Sequence, residues 1–338
     1  MIVRVACGLV LVLSAVSIFA MFSGRSSVEN LLAFEAARPK NIAIYLADPR
    51  FGLAVNVTND LLNNTEPVWS PDGRLTFMSS VLLNQDIYTL TLDQLEPINV
   101  SHTSHSHSPV WSPSGRLAYV TEHTPEPNSI DVLNPDGSRQ SYTVALSPDL
   151  IDLESPSWLS DHRLIFLGSV QRGQKQVFLL DLDDSALQNI SNELKLTHRD
   201  PIAAPSGDRV AFISDDLSRA QVRQTISVWE KTNDTVLRVT TNTGLNGELN
   251  WSNDGRLAFA STMNGNSEIY VWNVQTGVLE NMSNDAGVDE FPSWAGDGTL
   301  AFVSNRSGEA GIYTIDPLTL LIQKVYILHG SSFPVWSN

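Results

Sequence analysis

The sequence predicts an all-β fold: a seven-bladed β-propeller of four-stranded antiparallel blades with N/C-terminal ring closure, preceded by one N-terminal hydrophobic helix. Three observations predict it. A tryptophan-centred motif recurs at a nearly constant interval, and short apolar runs bounded by turn residues follow each copy. The incomplete copies at the two ends of the repeat region complement each other.

The motif is clearest at residues 67–74, Pro-Val-Trp-Ser-Pro-Asp-Gly-Arg, and residues 109–116 nearly repeat it. Equivalent positions are 42 to 48 residues apart. Proline presets the first turn position, and glycine supplies the positive φ of a tight hairpin between the first two strands of a blade. We expect a structural role for the repeated indoles, which fill the wedges between blades. They are Trp69, Trp111, Trp158, Trp251, Trp294 and Trp336, and alanine replaces tryptophan at position 203.

Each motif copy is followed by strand-like runs in a fixed order, as in residues 257–259, 269–272 and 281–283. Together with the motif strand, these runs make four strands, which is one propeller blade. The predicted continuous repeats are residues 67–108, 109–155, 156–200, 201–248, 249–291 and 292–333.

The two ends of the repeat region predict a shared blade. Residues 32–66 contain three strand-like runs with the spacing of second, third and fourth strands, and residues 334–338 resemble a lone first strand. Joining them completes a seventh blade within a propeller of residues 32–338 and removes the exposed sheet edges of an open array.

Residues 1–24 are predicted to be a signal anchor or a signal peptide. Residues 5–22 are 18 uncharged, mostly apolar residues, near the minimum that spans a bilayer, and no clear small-residue cleavage site follows them. We expect an uncleaved single-pass anchor, with a cleaved signal as the alternative, and residues 25–31 as a tether. Either role places the propeller on the extracytoplasmic side, periplasmic or extracellular. Cys7 is the only cysteine, so the propeller itself contains no disulfide.

The chain carries 37 acidic and 21 basic side chains, a net charge of −16, which argues against a nucleic-acid partner. Several acids precede the motif proline, where the loop between blades reaches the mouth of the central channel. This placement predicts an acidic mouth for a cationic group, a basic peptide or, as a possible cofactor, Ca²⁺. The candidate binding residues are Glu66, His107, Glu154, Asp200, Glu248 and Glu290.

Other candidate chemistry is sparse. His102, His105 and His107 have metal-binding composition, but no cysteine accompanies them and chance binding explains the pattern equally well. We predict no catalytic residues, because the sequence contains no nucleophile-elbow, zinc-protease, phosphate-loop or dinucleotide motif. Several Asn-x-Ser/Thr triplets fall on the fourth strand of the repeat, so the repeat itself generates them.

The recurring Pro-x-Trp-Ser-Pro-Asp-Gly-Arg, Leu-Ala-Phe-x-Ser, Ile-Tyr and Asn-x-Ser/Thr elements resemble the WD40-like propeller repeat of TolB-like proteins over residues 32–338. The resemblance implies an extracytoplasmic interaction scaffold, which in TolB docks partner proteins of the cell envelope. TolB itself has a separate N-terminal α/β domain and six blades, whereas this sequence predicts a membrane segment and seven blades. Similar repeats occur in the propellers of prolyl-oligopeptidase-type peptidases.

Two functions follow as hypotheses. The first is a membrane-tethered, non-catalytic propeller that binds a protein or peptide partner of the cell envelope through its acidic mouth. The alternative is an enzyme with its site in the channel, a lyase or hydrolase acting on a polysaccharide, which would need a metal or an acid/base pair at the mouth.

Overall fold

The computed structural model describes residues 30–50, 53–58, 61–82, 84–170, 173–191, 193, 195–218, 223–240, 244–327 and 333–337. The predicted hydrophobic helix within residues 1–24 lies outside these ranges, as do residues 25–29 of the predicted tether. Across the described ranges, no helix has both the length and the apolar character needed to cross a bilayer.

The described residues form seven antiparallel sheets of four strands each, which confirms the predicted number of blades and of strands per blade. The closing blade contains β1 (Leu32–Ala37), β2 (Ile42–Asp48) and β3 (Leu53–Asn56), together with β28 (Val335–Trp336) from the other end of the repeat region. Six continuous blades lie between these two parts.

Blade 1 consists of β4 (Asn63–Trp69), β5 (Leu75–Val81), β6 (Asn84–Leu90) and β7 (Ile98–Asn99). Blade 2 consists of β8 (Ser106–Trp111), β9 (Leu117–Thr121), β10 (Ser129–Leu133) and β11 (Arg139–Tyr142), and is followed by a short 3₁₀ helix (Val144–Leu146). Blade 3 consists of β12 (Leu150–Ser160), β13 (Arg163–Val170), β14 (Gln174–Asp181) and β15 (Leu187–Asn189).

Blade 4 consists of β16 (Thr197–Ala203), β17 (Arg209–Asp216), β18 (Arg223–Glu230) and β19 (Thr235–Arg238). Blade 5 consists of β20 (Asn246–Trp251), β21 (Arg256–Ser261), β22 (Glu268–Asn273) and β23 (Leu279–Asn281). Blade 6 consists of β24 (Asp289–Trp294), β25 (Leu300–Ser304), β26 (Gly311–Asp316) and β27 (Leu321–Ile327).

The first strand of each blade contacts the first strand of the next, and β28 closes the circle between β24 and β4. These inner strands therefore surround the central channel. We call the end at which they begin the channel mouth, and the end that carries the hairpins to the second strands the turn face.

Ring closure places both ends of the propeller on the turn face. Leu32 pairs with Trp336 across β1 and β28. One residue further, the Ser337 N–H donates to the Leu31 carbonyl at 2.8 Å, and the Leu31 N–H donates to Ser337 Oγ at 2.8 Å. In blade 1 a similar bond closes the Pro-Asp-Gly hairpin, from the N–H of residue 70 to the carbonyl of residue 74. The two ends of the propeller thus stand where the other blades have a turn.

Most motif tryptophans bind the preceding blade through their indole N–H groups, which agrees with the predicted structural role. Trp336 Nε1 donates to a backbone carbonyl of blade 6 at 3.0 Å, and Trp69 Nε1 donates to the closing blade at 3.3 Å. Trp158 and Trp251 make the same kind of bond at 3.1 and 3.2 Å. Trp111 donates instead to a threonine hydroxyl of blade 1 at 3.0 Å. These five indoles therefore help to fix the angle between two blades as well as filling the wedge.

A buried aromatic residue on the second strand forms the centre of each blade. Phe77 and Phe259 are two of them, and they stack on tyrosines of the third strand with ring centroids 6.2 and 5.9 Å apart. The full set of central rings is Phe34, Phe77, Tyr119, Phe166, Phe212, Phe259 and Phe302. Because each ring is covered by its own sheet and by the adjacent blade, the core is continuous around the circle.

The Asn-x-Ser/Thr triplets have a structural role at the end of the fourth strand. Ser283 Oγ accepts the N–H of Ile269 at 2.9 Å, and Asn281 Oδ1 accepts the N–H of Ser283 at 3.2 Å. The hydroxyls of Thr58, Ser101, Ser191 and Thr240 accept the equivalent third-strand N–H in their own blades. The triplet therefore continues the ladder where the short outer strand stops.

Candidate binding site at the channel mouth

Every inner strand of blades 1 to 6 contains a β-bulge at the same place, near its entry into the ring. The bulged residue has a positive φ of 51° to 60° in all six blades: Glu66, Ser108, Ser155, Asp200, Glu248 and Phe291. This region is unfavourable for residues other than glycine, so contacts must hold the backbone there. A bulge also bends its strand and re-aims its side chains, which places these six residues at equivalent points around the mouth.

Carboxylates hold three of these bulges. Glu66 Oε2 accepts the N–H of Ser108 at 2.6 Å, and Glu248 Oε2 accepts the N–H of Phe291, so that the bulge acid of one blade binds the bulge of the next. Glu35 Oε1, on β1, accepts the N–H of Glu66 at 2.8 Å. Two of the predicted binding acids therefore also connect neighbouring blades, and they are fixed in position by that role.

Burial perturbs two of these carboxyls. Desolvation raises the pKa of Glu35 to about 7, with the Glu66 charge adding to the rise and the hydrogen bond from the Glu66 N–H opposing it. Desolvation also raises the pKa of Glu248 to about 7, and the charges of Glu290 and Asp200 add to the rise. The bond from the next bulge N–H and the charge of Arg199 oppose it. Both groups are thus partly protonated near neutral pH.

Lysine and arginine neutralise two of the other predicted acids. Lys175 Nζ lies 2.6 Å from Glu154 Oε1. Arg199 pairs with Asp200, approaches Asp215 at 3.4 Å and donates to a blade 5 carbonyl at 2.6 Å. The mouth is therefore not a uniform ring of free acids, because the basic partners come from positions that the repeat motif does not mark. Residues 219–222, between β17 and β18, lie outside the described residues.

The remaining predicted mouth residues differ in their surroundings. His107 Nδ1 lies 3.0 Å from Ser108 Oγ, and its Nε2 lies 3.4 Å from Glu122. Glu290 is half-buried, and within the described part of the chain its carboxylate has no hydrogen bond or ion pair. Glu66, Glu248 and Glu290 are thus the predicted mouth acids that make no ion pair within the described residues.

An aromatic pair also lies at the mouth. Phe291 and Phe333 have ring centroids 4.4 Å apart and an interplanar angle of 61°. Phe333 holds the bulge position in the sequence of the closing blade and is 46 % exposed. Sequence reasoning missed this pair because it considered the acids at these positions. The sequence feature that could have revealed the pair is the presence of phenylalanine at positions 291 and 333, in two neighbouring repeats, where several other repeats have an acid.

The candidate metal-binding histidines do not converge. His102 and His105 are exposed, whereas His107 is half-buried and binds other partners. No group of three or more His, Cys, Asp or Glu residues within the described ranges is arranged to hold a metal ion. The structure thus offers no cluster of described residues for the Ca²⁺ that an acidic mouth suggested.

A histidine, a serine and an aspartate also meet in blade 2. His123 Nε2 lies 3.0 Å from Ser129 Oγ, and Ser129 Oγ donates to Asp131 Oδ1 at 3.2 Å. The serine stands between the other two and is only 2 % exposed. In a nucleophilic triad the aspartate instead orients the histidine. This arrangement is a hydrogen-bond chain that joins the exposed His123, in the loop after β9, to two buried residues of β10.

Comparisons with known proteins agree with this architecture. Residues 228–337 match the family model of the TolB beta propeller domain. TolB from Acinetobacter baumannii is 15 % identical, with a TM-score of 0.58, over 94 % of this chain and 69 % of that one. A puromycin-hydrolysing peptidase from Mycobacterium tuberculosis is 14 % identical, with a TM-score of 0.64, over 88 % of this chain and 53 % of that one.

An oligogalacturonate lyase in complex with manganese is 14 % identical, with a TM-score of 0.65, over 84 % of this chain and 85 % of that one. At such identities these likenesses show the propeller fold alone, and the chain spans about half the length of the peptidase. Comparison with curated protein sequences gives no match.

Proposed function

Because the chain is a TolB-like β-propeller, we propose that it is a non-catalytic, extracytoplasmic module that binds a protein or peptide partner of the cell envelope at its channel mouth. The observation that carries the proposal is the combination of an aromatic pair, of which Phe333 is exposed and Phe291 half-buried, with the carboxylate of Glu290 on the rim of the ring. Aromatic anchors beside charge are typical of protein-binding surfaces.

The rim is pre-organised. The bulges at Glu66, Ser108 and Phe291 are held by hydrogen bonds between neighbouring blades, so little backbone freedom is lost there when a partner binds. The net charge of −16 favours a partner segment with basic residues. Affinity for such a partner falls as ionic strength rises.

The position of the chain ends supports a membrane-tethered arrangement. We propose that residues 5–22 hold the protein in the membrane. Leu31 lies on the turn face, opposite the mouth. Residues 23–30 reach roughly 28 Å when fully extended, so the turn face stays near the bilayer and the mouth faces away from it. A partner on the extracytoplasmic side then meets the mouth without obstruction by the membrane.

The test is a crosslinking capture from envelope membranes with the full chain as bait. The mouth variant changes Glu66, Glu248 and Glu290 to Gln. The matched control removes the same number of charges from the turn face by changing Asp136, Asp184 and Asp297 to Asn. All three control residues are exposed.

We expect a partner that wild type and the control variant retain and that the mouth variant loses. The retained fraction should also fall as salt is raised from about 50 to about 500 mM, because screening shortens the range of the acidic field. Equal capture by all three baits would contradict recognition at the mouth. A partner lost only from the turn-face variant would place recognition on the opposite end of the ring.

A further inference from the structure

The phenylalanine pair has acidic residues nearby in the structure. Glu290 directly precedes Phe291, and the carboxylate of Glu248 accepts the Phe291 N–H. The charges of Glu290 and Asp200 both act on Glu248.

The basic side chain that acts on Glu248 is already engaged. Arg199 binds Asp200, approaches Asp215 and donates to the Asn246 carbonyl at 2.6 Å. Within the described residues, the Glu290 carboxylate has no hydrogen bond or ion pair. The mouth near Phe291 therefore contains an acidic side chain without a described basic partner.

Aromatic faces attract cations, and this protein uses that attraction elsewhere. The Arg256 guanidinium lies 4.4 Å from the ring centroid of Trp294, and the Arg74 guanidinium lies 4.8 Å from that of Trp111. In the described ranges no lysine or arginine lies over Phe291 or Phe333. The two tilted rings offer two walls of a cation-binding cage, and Glu290, the residue before Phe291, offers a counter-charge.

We infer that Phe291, Phe333 and Glu290 form a subsite for one basic side chain, lysine or arginine, of the bound peptide. The inference rests on the proposed function and specifies the chemistry recognised at that mouth. The rings contact the alkyl stem and the cationic head group of the bound side chain, and Glu290 supplies the opposite charge. Recognition therefore depends on charge and aromatic contact together, and a neutral side chain of equal size binds less well.

The test uses two short peptides of the form acetyl-Ser-Gly-X-Gly-Ser-amide. In the first, X is trimethyllysine, and in the second X is its neutral tert-butyl isostere. Ligand-observed NMR titration against the full chain in detergent gives a Kd for each peptide. The variants are Phe333→Leu and Glu290→Gln, and the control is Asp297→Asn at an exposed acid of the turn face.

We expect wild type and the Asp297→Asn control to bind the charged peptide about 3- to 10-fold more tightly than the neutral one. In Phe333→Leu and in Glu290→Gln the ratio should fall below about 2-fold. Phe333 is half-exposed, so an unchanged circular dichroism spectrum and melting temperature confirm that the variants are folded. Equal Kd values for the two peptides in wild type, or an unchanged ratio in both variants, would overturn the inference.

Together, the capture experiment and the peptide titration distinguish a failure of the subsite from a failure of the proposed function. If the capture experiment places a partner at the mouth but the peptide ratio is 1, the subsite is wrong and the proposed function stands. If the ratio is as expected but no partner depends on the mouth acids, the subsite exists and the proposed function fails.

Discussion

Replacing Glu35 with glutamine tests whether the buried carboxyls shape the pH dependence of stability. Glu35 is 4 % exposed, and burial raises its pKa from 4.5 to about 7. The unfolded chain therefore releases this proton more readily than the folded one. The contribution of Glu35 to the free energy of unfolding is therefore highest below pH 4.5, falls as the pH rises to about 7 and is level above that.

The magnitude can be worked out from the two pKa values. Each tenfold difference in acidity corresponds to about 1.4 kcal/mol, so ionising Glu35 in the folded protein costs about 3 kcal/mol at high pH. Between pH 5 and pH 8.5 the loss amounts to about 2.5 kcal/mol. Glutamine removes this loss, and its amide oxygen still accepts the Glu66 N–H that Glu35 Oε1 binds at 2.8 Å.

The assay is urea unfolding followed by tryptophan fluorescence at pH 5 and pH 8.5. The difference in unfolding free energy, Glu35→Gln minus wild type, should become more positive by about 2.5 kcal/mol at the higher pH. Glu154→Gln is the matched control: Glu154 pairs with Lys175 at the mouth, so its removal should bring no gain at high pH. The reasoning is refuted if the Glu35→Gln difference is the same at both pH values.

Three further changes test the packing of the ring. Arg306→Met should cost about 3 to 5 kcal/mol, because it leaves the fully buried carboxylate of Asp289 without the partner that lies 2.9 Å away; thermal unfolding measures the loss, and adding Asp289→Leu should recover most of it. Trp336→Ala should cost about 3 to 5 kcal/mol and expose the edge of the closing blade, so light scattering should show aggregation before wild type unfolds. Gly207→Ala should destabilise by more than about 1 kcal/mol, since φ is +68° and a Cβ would lie 2.8 Å from a carbonyl oxygen of the neighbouring blade. Gly137→Ala, with φ +84° and nothing within 4 Å, is its control and should cost less by urea unfolding; equal losses at the two glycines would contradict the steric argument.

The repeat made the architecture predictable. Because the same turn and strand pattern recurs in each blade, the copies around Trp69 and Trp111 predict the hairpin, the packing between blades and the strand order for the whole ring. The shared blade followed from spacing alone, and β1 pairs with β28 as expected. The structure adds that Leu31 takes part in the closure, one residue before the predicted propeller boundary.

The site was predictable only in outline. The offset from the motif proline correctly marks the bulges, so Glu66 and Glu248 could be placed on the rim from the sequence. Their hydrogen bonds to the next blade could not be predicted from the sequence, because these bonds depend on the angle between blades. Glu35 was missed: it is a single acid in an apolar strand, and no other blade repeats it.

The sequence by itself determined the number of blades, the closure and the face on which the acids gather, since all three depend on periodicity and local turn chemistry. Only the tertiary structure decided which acids are neutralised, which are buried and where free charge meets exposed aromatic surface. Lys175 and Arg199 reach their acids, and Phe291 meets Phe333, between residues far apart along the chain. Contacts of this kind are set by the twist and packing of neighbouring blades, which no local pattern records.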